Sequence, residues 1–292
     1  MTKDKRLIIL TGPTGVGKSA YAMELARSLS IPIISADSRQ LYRGMSIGTD
    51  APSPEAMSEI HHYFVATREV TDPYNAYDYA ADALAVVDEV LTTHDTALVV
   101  GGSMMYIQAL LYQMDPIPEP DPEIRRQLWE CFETHGIGPI RSQLAEADPQ
   151  YLASVDGNNH KRMIRALEVW LTTHRPFSSW HTHTPRIFPY DVEVWGLFRP
   201  RPILYERINQ RVDRMFQSGL VEEVRSLLPH KDCNALNTIG YKEVIQYLDG
   251  QCSLDEAVHR VKKNSRVYAR KQITFFEKIP DIRLLNLEEQ EN

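Results

Sequence analysis

Gly12, Pro13, Thr14, Gly15, Val16, Gly17, Lys18 and Ser19 follow the spacing G-x-x-x-x-G-K-S, after an apolar run at 6–10 and before an amphipathic stretch at 20–26. Strand, glycine loop and helix in that order curl backbone N–H groups around a phosphate, and the helix adds the positive end of its dipole. In such a loop Lys18 reaches the terminal phosphates and the Ser19 hydroxyl ligates Mg²⁺. A second apolar run at 31–36 ends in Asp37, Ser38, Arg39 and Gln40. It reads as a strand with its exit loop, which places Asp37 at the carboxyl edge of a sheet, where open α/β folds bind ligands. The structural alternative for Asp37 is a helix N-cap. A third run at 97–100 ends in Gly101, Gly102 and Ser103. Nucleotide hydrolases need a carboxylate at such a strand end to orient Mg²⁺ and water, and here glycines and a serine stand instead. The glycines let a ligand approach the backbone closely. Ser103 offers a hydroxyl there or caps the helix that follows.

Hydrophobic spacing supplies the elements that must hold these groups. Ser53 and Pro54 open a short helix, and apolar positions at helical intervals mark a long one at 75–93. Four prolines within seven residues, Pro116, Pro118, Pro120 and Pro122, are too stiff for the interior of a strand or helix and read as a hinge. Helices follow at 122–136, with Ile124, Leu128 and Phe132 inward, near 140–147 and at 159–173, before a second hinge at 182–189. The sheet resumes at 191–197. Helices at 201–218, 220–228 and 240–248 come next, then one from Ser253, whose capping box uses Glu256. The expected fold is α/β: a P-loop NTPase-like parallel sheet core flanked by helices, with an all-helical insertion domain. The core takes residues 1–118 and 190–292, and the insertion 119–189.

The 292 residues are 43% hydrophobic and 24% charged, and no apolar run approaches the length of about 18 residues that a membrane span needs. Residues 1–10 lack a signal-peptide pattern, so a cytoplasmic protein with no membrane association is expected. A monomer is the default expectation, though the sequence itself does not give the oligomeric state. Cys131, Cys233 and Cys252 are far apart and form no C-x-x-C, so neither a disulfide framework nor a zinc site is legible. A net charge of −7 argues against nucleic acid on average. Locally the balance reverses, because residues 257–276 hold Arg260, Lys262, Lys263, Arg266, Arg270 and Lys271 without one acid. His160, Lys161, Arg162 and Arg165 form a second basic cluster, on a helix whose Met163, Ala166, Leu167 and Trp170 face inward. Such runs are commonly solvated faces. Two of them on separate domains also suit a cleft that grips a phosphate backbone. A third group, Arg199, Arg201, Arg207, Arg211 and Arg214, starts at a strand end, and the sequence leaves open which of them faces the phosphate loop.

In several separated motifs the sequence resembles the tRNA dimethylallyltransferases, also called tRNA isopentenyltransferases, of bacterial type. The motifs are the loop from Gly12 to Ser19, then Ser35-Ala36-Asp37-Ser38-Arg39-Gln40-Leu41-Tyr42 with Gly44, Gly48 and Thr49, then His61-His62 and Val100-Gly101-Gly102-Ser103. Lys161-Arg162, Arg165-Ala166-Leu167-Glu168-Val169, Ile239-Gly240-Tyr241-Lys242-Glu243 and Tyr268-Ala269-Arg270-Lys271-Gln272 follow in the same order, so the resemblance spans nearly the whole chain. It implies transfer of a dimethylallyl group from dimethylallyl diphosphate to the N6 amine of the adenine beside the anticodon of tRNA, with Mg²⁺ as cofactor and release of diphosphate. Gly12, Pro13, Thr14, Gly15, Val16, Gly17, Lys18 and Ser19 would hold the diphosphate, Ser19 would ligate the metal, and Asp37 would be the general base. Ser103 stands where threonine is usual and keeps the hydroxyl that helps the base or the adenine. Asp37, Ser38, Arg39, Gln40, Ser103, Arg125, Lys161, Arg162, Met163, Ile164, Arg165, Asn237, Thr238, Ile239, Gly240, Tyr241 and Lys242 match places where the family touches tRNA. Lys271 replaces a more usual arginine, and Thr173-His174 a commoner Thr-Gly.

The chemistry needs these residue types. Allylic C–O cleavage puts negative charge on the departing diphosphate, so preorganised donors around it lower the barrier. The adenine amine is a poor nucleophile until its proton is accepted, and an aspartate with an ordinary pKa of about 3.9 is ionised to accept it at neutral pH. An adenine stacked in a loop must also be extruded before its amine can be reached. A P-loop kinase of a nucleoside or other small molecule, with ATP in the loop and Asp37 on a substrate hydroxyl, accounts equally for the loop and the aspartate. It leaves the basic helices and the insertion unexplained. A GTP-controlled switch lacks support, since no Asp-x-x-Gly and no Asn-Lys-x-Asp occurs.

Overall fold

The computed structural model describes residues 5–113, 117, 119, 121–180 and 184–290. The chain divides into two compact units, Met1–Leu110 with Ile187–Asn292, and Leu111–Arg186. In the first unit β1 (Arg6–Thr11) is an almost wholly buried apolar run, as a central parallel strand covered on both faces requires. Gly17 leads into α1 (Lys18–Leu29), and β2 (Ile33–Ser35) follows. The side chain of Ser53 caps α2 (Pro54–Glu59), and β3 (His62–Tyr63) is a strand of two residues too short for any sequence periodicity to reveal. Asn75 and Asp78 form a capping box on α3 (Ala76–Thr93), whose Tyr79, Ala83, Val87 and Val90 are buried. The half closes with β4 (Thr96–Val100) and α4 (Met104–Leu111).

The second unit is helical apart from one bridge between Tyr112 and Pro185, among the described residues. It holds α5 (Pro122–His135), α6 (Ile137–Ala147), α7 (Pro149–Ser154) and α8 (His160–Thr173) around Leu128, Ile140, Leu144, Met163 and Leu167. The sequence reading missed α7. Asp148 both ends α6 and caps α7 by accepting from Tyr151 N, and a proline at the first helical position restarts the helix without a spacer. His174 ends α8 at φ 53°, in the left-handed conformation that usually calls for glycine. Pro116, Pro118, Pro120 and residues 182 and 183, part of both expected hinges, lie outside the described residues.

Back in the first unit, β5 (Asp191–Phe198) leads to α9 (Arg201–Gln217), α10 (Leu220–Ser226), α11 (Tyr241–Leu248) and α12 (Leu254–Phe276), then to β6 (Arg283–Asn286) and α13 (Leu287–Gln290). The six strands pair in parallel in the order β3-β2-β4-β1-β5-β6. Register decides where the site falls. Leu10 lies between Val100 and Trp195, and Ser35 lies opposite Val100, so the exits of β1, β2, β4 and β5 leave the sheet level with one another. Residues 12–19, 36–40, 101–103 and Arg199 therefore share one edge.

Candidate active site

The phosphate loop is anchored from several sides. Gly15 sits at φ 79° with Ile208 so close that a Cβ would lie 2.7 Å from its side chain, so the bend is open only to glycine. Pro13 and Val16 are buried, so those two contribute backbone and packing to the loop. Lys18 Nζ donates to Gly12 O and Pro13 O, both at 2.9 Å, and so lies back across the loop. Burial, with the nearby Arg211 charge adding to it, lowers the Lys18 ammonium to about 8. Of the arginine group, three reach the loop: Arg199 Nε donates to Val16 O, Arg207 Nε to Gly15 O, and Arg211 Nη1 to Thr14 Oγ1 at 2.5 Å. Arg201 is exposed, and Arg214 lines the cleft in front of the loop.

Asp37 begins the turn after β2. Its Oδ1 accepts from Arg39 N at 2.8 Å and Gln40 N at 3.2 Å, so it holds that turn and caps no helix. Among the described residues Oδ2 makes no hydrogen bond. The third strand exit presses against this turn: Ala36 N donates to Val100 O, Ser103 N donates to Ala36 O, and a Cβ on Gly101 would fall 2.1 Å from Ala36 O. Only glycine fits there. Ser103 starts α4 through its backbone, while its Oγ makes no hydrogen bond to the described residues, so the hydroxyl is left to the cleft.

The cleft holds about 620 Å³ and is lined by Lys18, Asp37, Ser103, Arg211, Lys242 and Tyr268, among others. Ser38, Arg39, Gln40, Asn237, Thr238, Ile239 and Gly240 also line it. Arg39 is engaged: Nη1 donates to Asn234 O and Ala235 O, which ties the Asp37 turn to the segment that precedes α11. Burial pushes the Tyr268 phenol up to about 12, and the charge of Asp37 adds to the shift. The sequence places Tyr268 and Gln272 in a family motif but gives neither a place in the site. Val261, Ser265, Tyr268 and Gln272 lie at i, i+4, i+7 and i+11 along α12, a helical stripe that carries the signal without saying what it faces.

Burial removes the side chains, though not the backbone, of three residues expected at the tRNA interface. Met163 and Ile164 are 0% and 1% exposed in the core of the helical unit, so their side chains touch no outside partner. Tyr241 is also 0% exposed, with its hydroxyl donating to Glu223 at 2.6 Å and its ring against Gly48. Glu223 also accepts from Ser46 N, Ile47 N and Gly48 N, which fixes the loop whose Thr49 carbonyl receives Arg211 Nη2. In the helical unit Lys161 and Arg162 are exposed, whereas Arg125 makes a two-pronged pair with the buried Glu168 that Arg165 also approaches. The face of α12 is less bare than its sequence: Lys262 pairs with Asp213 and Arg266 donates to Asn209, while Lys263, Arg270 and Lys271 stay exposed. Among the described residues no three His, Cys, Asp or Glu side chains converge as a metal site, and no helix is long and apolar enough to cross a membrane.

The family model for IPP transferase matches residues 40–279, most of the chain. The chain belongs to the IPP transferase family. Within that family it is 46% identical to the tRNA dimethylallyltransferase 2 of Parabacteroides distasonis, over 98% of this chain and 95% of that one. It is 40% identical to the tRNA dimethylallyltransferase of Christiangramia forsetii, over 97% of this chain and 94% of its relative. The full-length tRNA isopentenylpyrophosphate transferase of Bacillus halodurans superposes with a TM-score of 0.70 at 32% identity, covering 98% of this chain and 90% of that one. A eukaryotic dimethylallyltransferase crystallised acting on tRNA shares the fold with a TM-score of 0.80 at 24% identity, over 97% and 74% of the two chains. The parallel sheet and its helices are thus the fold of the family.

Proposed function

We propose that this chain transfers the dimethylallyl group of dimethylallyl diphosphate to the N6 amine of the adenine adjacent to the anticodon of tRNA. The observation that carries the reading is the pairing of a complete phosphate loop with Asp37, whose Oδ2 is unengaged among the described residues, in a cleft where β4 ends in Gly101, Gly102 and Ser103 and supplies no carboxylate for a hydrolytic water. The activity in the names of its 46% and 40% identical relatives supports it.

The loop N–H groups, Lys18, Arg211 and Arg207 hold the diphosphate and take up the charge that grows on it as the C–O bond breaks. Asp37 accepts the N6 proton through Oδ2 while Oδ1 stays fixed by Arg39 N and Gln40 N. The Ser103 hydroxyl orients Asp37 or the adenine amine. Ser19 is exposed at the first turn of α1 and its hydroxyl makes no hydrogen bond to the described residues, so with the donor's phosphate oxygens it suits Mg²⁺, which prefers few protein ligands and keeps its waters. Bound there, Mg²⁺ would neutralise part of the leaving group's charge. Ser38, Asn237 and Lys242 line the path of the extruded nucleotide, and Lys161 and Arg162 meet the tRNA backbone.

Labelled dimethylallyl diphosphate, Mg²⁺ and unmodified tRNA test the reading. Label in the tRNA supports it, and phosphorylation of a nucleoside from ATP without prenyl transfer would replace it with the kinase. Lys161→Ala should weaken tRNA binding and reduce the slope of log affinity against log salt by about one; an unchanged slope removes Lys161 from the interface. The lowered Lys18 gives a pH signature. As pH rises through about 8 the free protein loses this proton. An anionic diphosphate favours the charged form, so above that pH donor binding should take up a proton and weaken with rising pH. Calorimetry of donor binding in buffers of different ionisation enthalpy reads the uptake directly, and identical heats would contradict it.

A further inference from the structure

We propose that Gln272 is a positioning residue that locks the diphosphate cradle and the Ser103-bearing strand exit into one frame. Gln272 is 2% exposed on α12, and its carboxamide is used at both ends. Oε1 accepts from Thr14 N at 2.8 Å, and Nε2 donates to Gly102 O at 2.7 Å. The two partners belong to different strand exits, β1 and β4, which Thr11 Oγ1 joins at their base by donating to Gly101 O at 3.0 Å, while Gln272 ties the phosphate loop itself to Gly102. Thr14 is held from its other side by Arg211, and a Cβ on Gly102 would lie 2.6 Å from Nε2 of Gln272, so a larger residue there would displace the carboxamide. The gap between the leaving-group site and the Ser103 hydroxyl is therefore braced, beyond the Thr11 contact at its base, by a glutamine whose donor and acceptor cannot be exchanged without losing both bonds. A buried amide with both ends satisfied is rigid, and reacting groups displaced by an ångström lose rate steeply.

The inference rests on the proposed transfer, which the wild-type chain tests separately, because Gln272 is judged by variants relative to wild type. Gln272→Met keeps the length and removes both bonds. We expect its kcat at saturating donor to fall roughly tenfold to a hundredfold, with inorganic diphosphate binding within about twofold of wild type. Gln272→Glu separates positioning from packing. Ionised, it still accepts from Thr14 N but sets an oxygen against Gly102 O, whereas protonated it donates there and restores both bonds. Burial at this position raises the introduced carboxyl above its ordinary range, so the rate relative to wild type should rise as pH is lowered from about 8 to about 6. A Gln272→Met rate within about twofold of wild type, or a Gln272→Glu ratio that stays flat with pH, overturns the proposal. The second readout stands even if the methionine variant does not fold.

Discussion

Asp37→Asn should lower the rate of prenyl transfer by roughly 10²–10⁴ while leaving donor affinity within about twofold. The size of the loss follows from what the carboxylate does. The adenine amine has its lone pair in the ring, and without a base the new C–N bond must form on a nitrogen that keeps its proton. Asparagine retains an oxygen that can still accept from Arg39 N and Gln40 N, so the turn after β2 is held. It cannot accept the proton at Oδ2. Asp37→Ala should lose as much rate, and part of its turn as well. Single-turnover transfer with donor bound beforehand separates the two effects. An equal loss in donor binding and in rate would mean that Asp37 shapes the loop and is no base.

Lys18→Met should cost about 10²–10³ in kcat, the loss typical of one preorganised donor facing developing charge, equivalent to roughly 3–4 kcal/mol. Affinity for the donor should fall too. Folding should not suffer in proportion. The ammonium's lowering to about 8 reports that burial and Arg211 disfavour its charged form in the folded chain. At neutral pH, below the folded value, that penalty is fully present, and methionine removes it along with the bonds to Gly12 O and Pro13 O. The melting temperature should therefore stay level or rise while activity collapses. A variant that melts earlier by many degrees and keeps its donor affinity would contradict the assignment.

The sequence carried the local part of this architecture and withheld the long-range part. The glycine loop was legible because its spacing, flanking strand and helix all lie within about twenty residues of one another, a scale at which turn chemistry and periodicity act. β3 was not legible, since two residues have no period and His62–Tyr63 is a strand only through pairing with β2. Met163 and Ile164 were read as part of a basic contact because they are neighbours of Lys161 and Arg162 in sequence. Helical geometry turns them into the core. Tyr241 is flanked along the chain by Gly240 and Lys242, and its burial comes from residues drawn from elsewhere: Glu223, Gly48 and the apolar cluster that includes Leu41, Leu220 and Val224. Gln272 meets Thr14 across 258 positions and Arg211 meets it across 197, separations that no motif encodes.

In the proposed reaction the phosphate loop holds a leaving group and Asp37 prepares an adenine amine beside it. Mass spectrometry of the tRNA after reaction with dimethylallyl diphosphate and Mg²⁺, with diphosphate measured in the same sample, tests it most directly. One dimethylallyl group on N6 of the adenosine adjacent to the anticodon is expected for each diphosphate released. Diphosphate released without modified adenosine, or a prenyl group on any other atom, would contradict it.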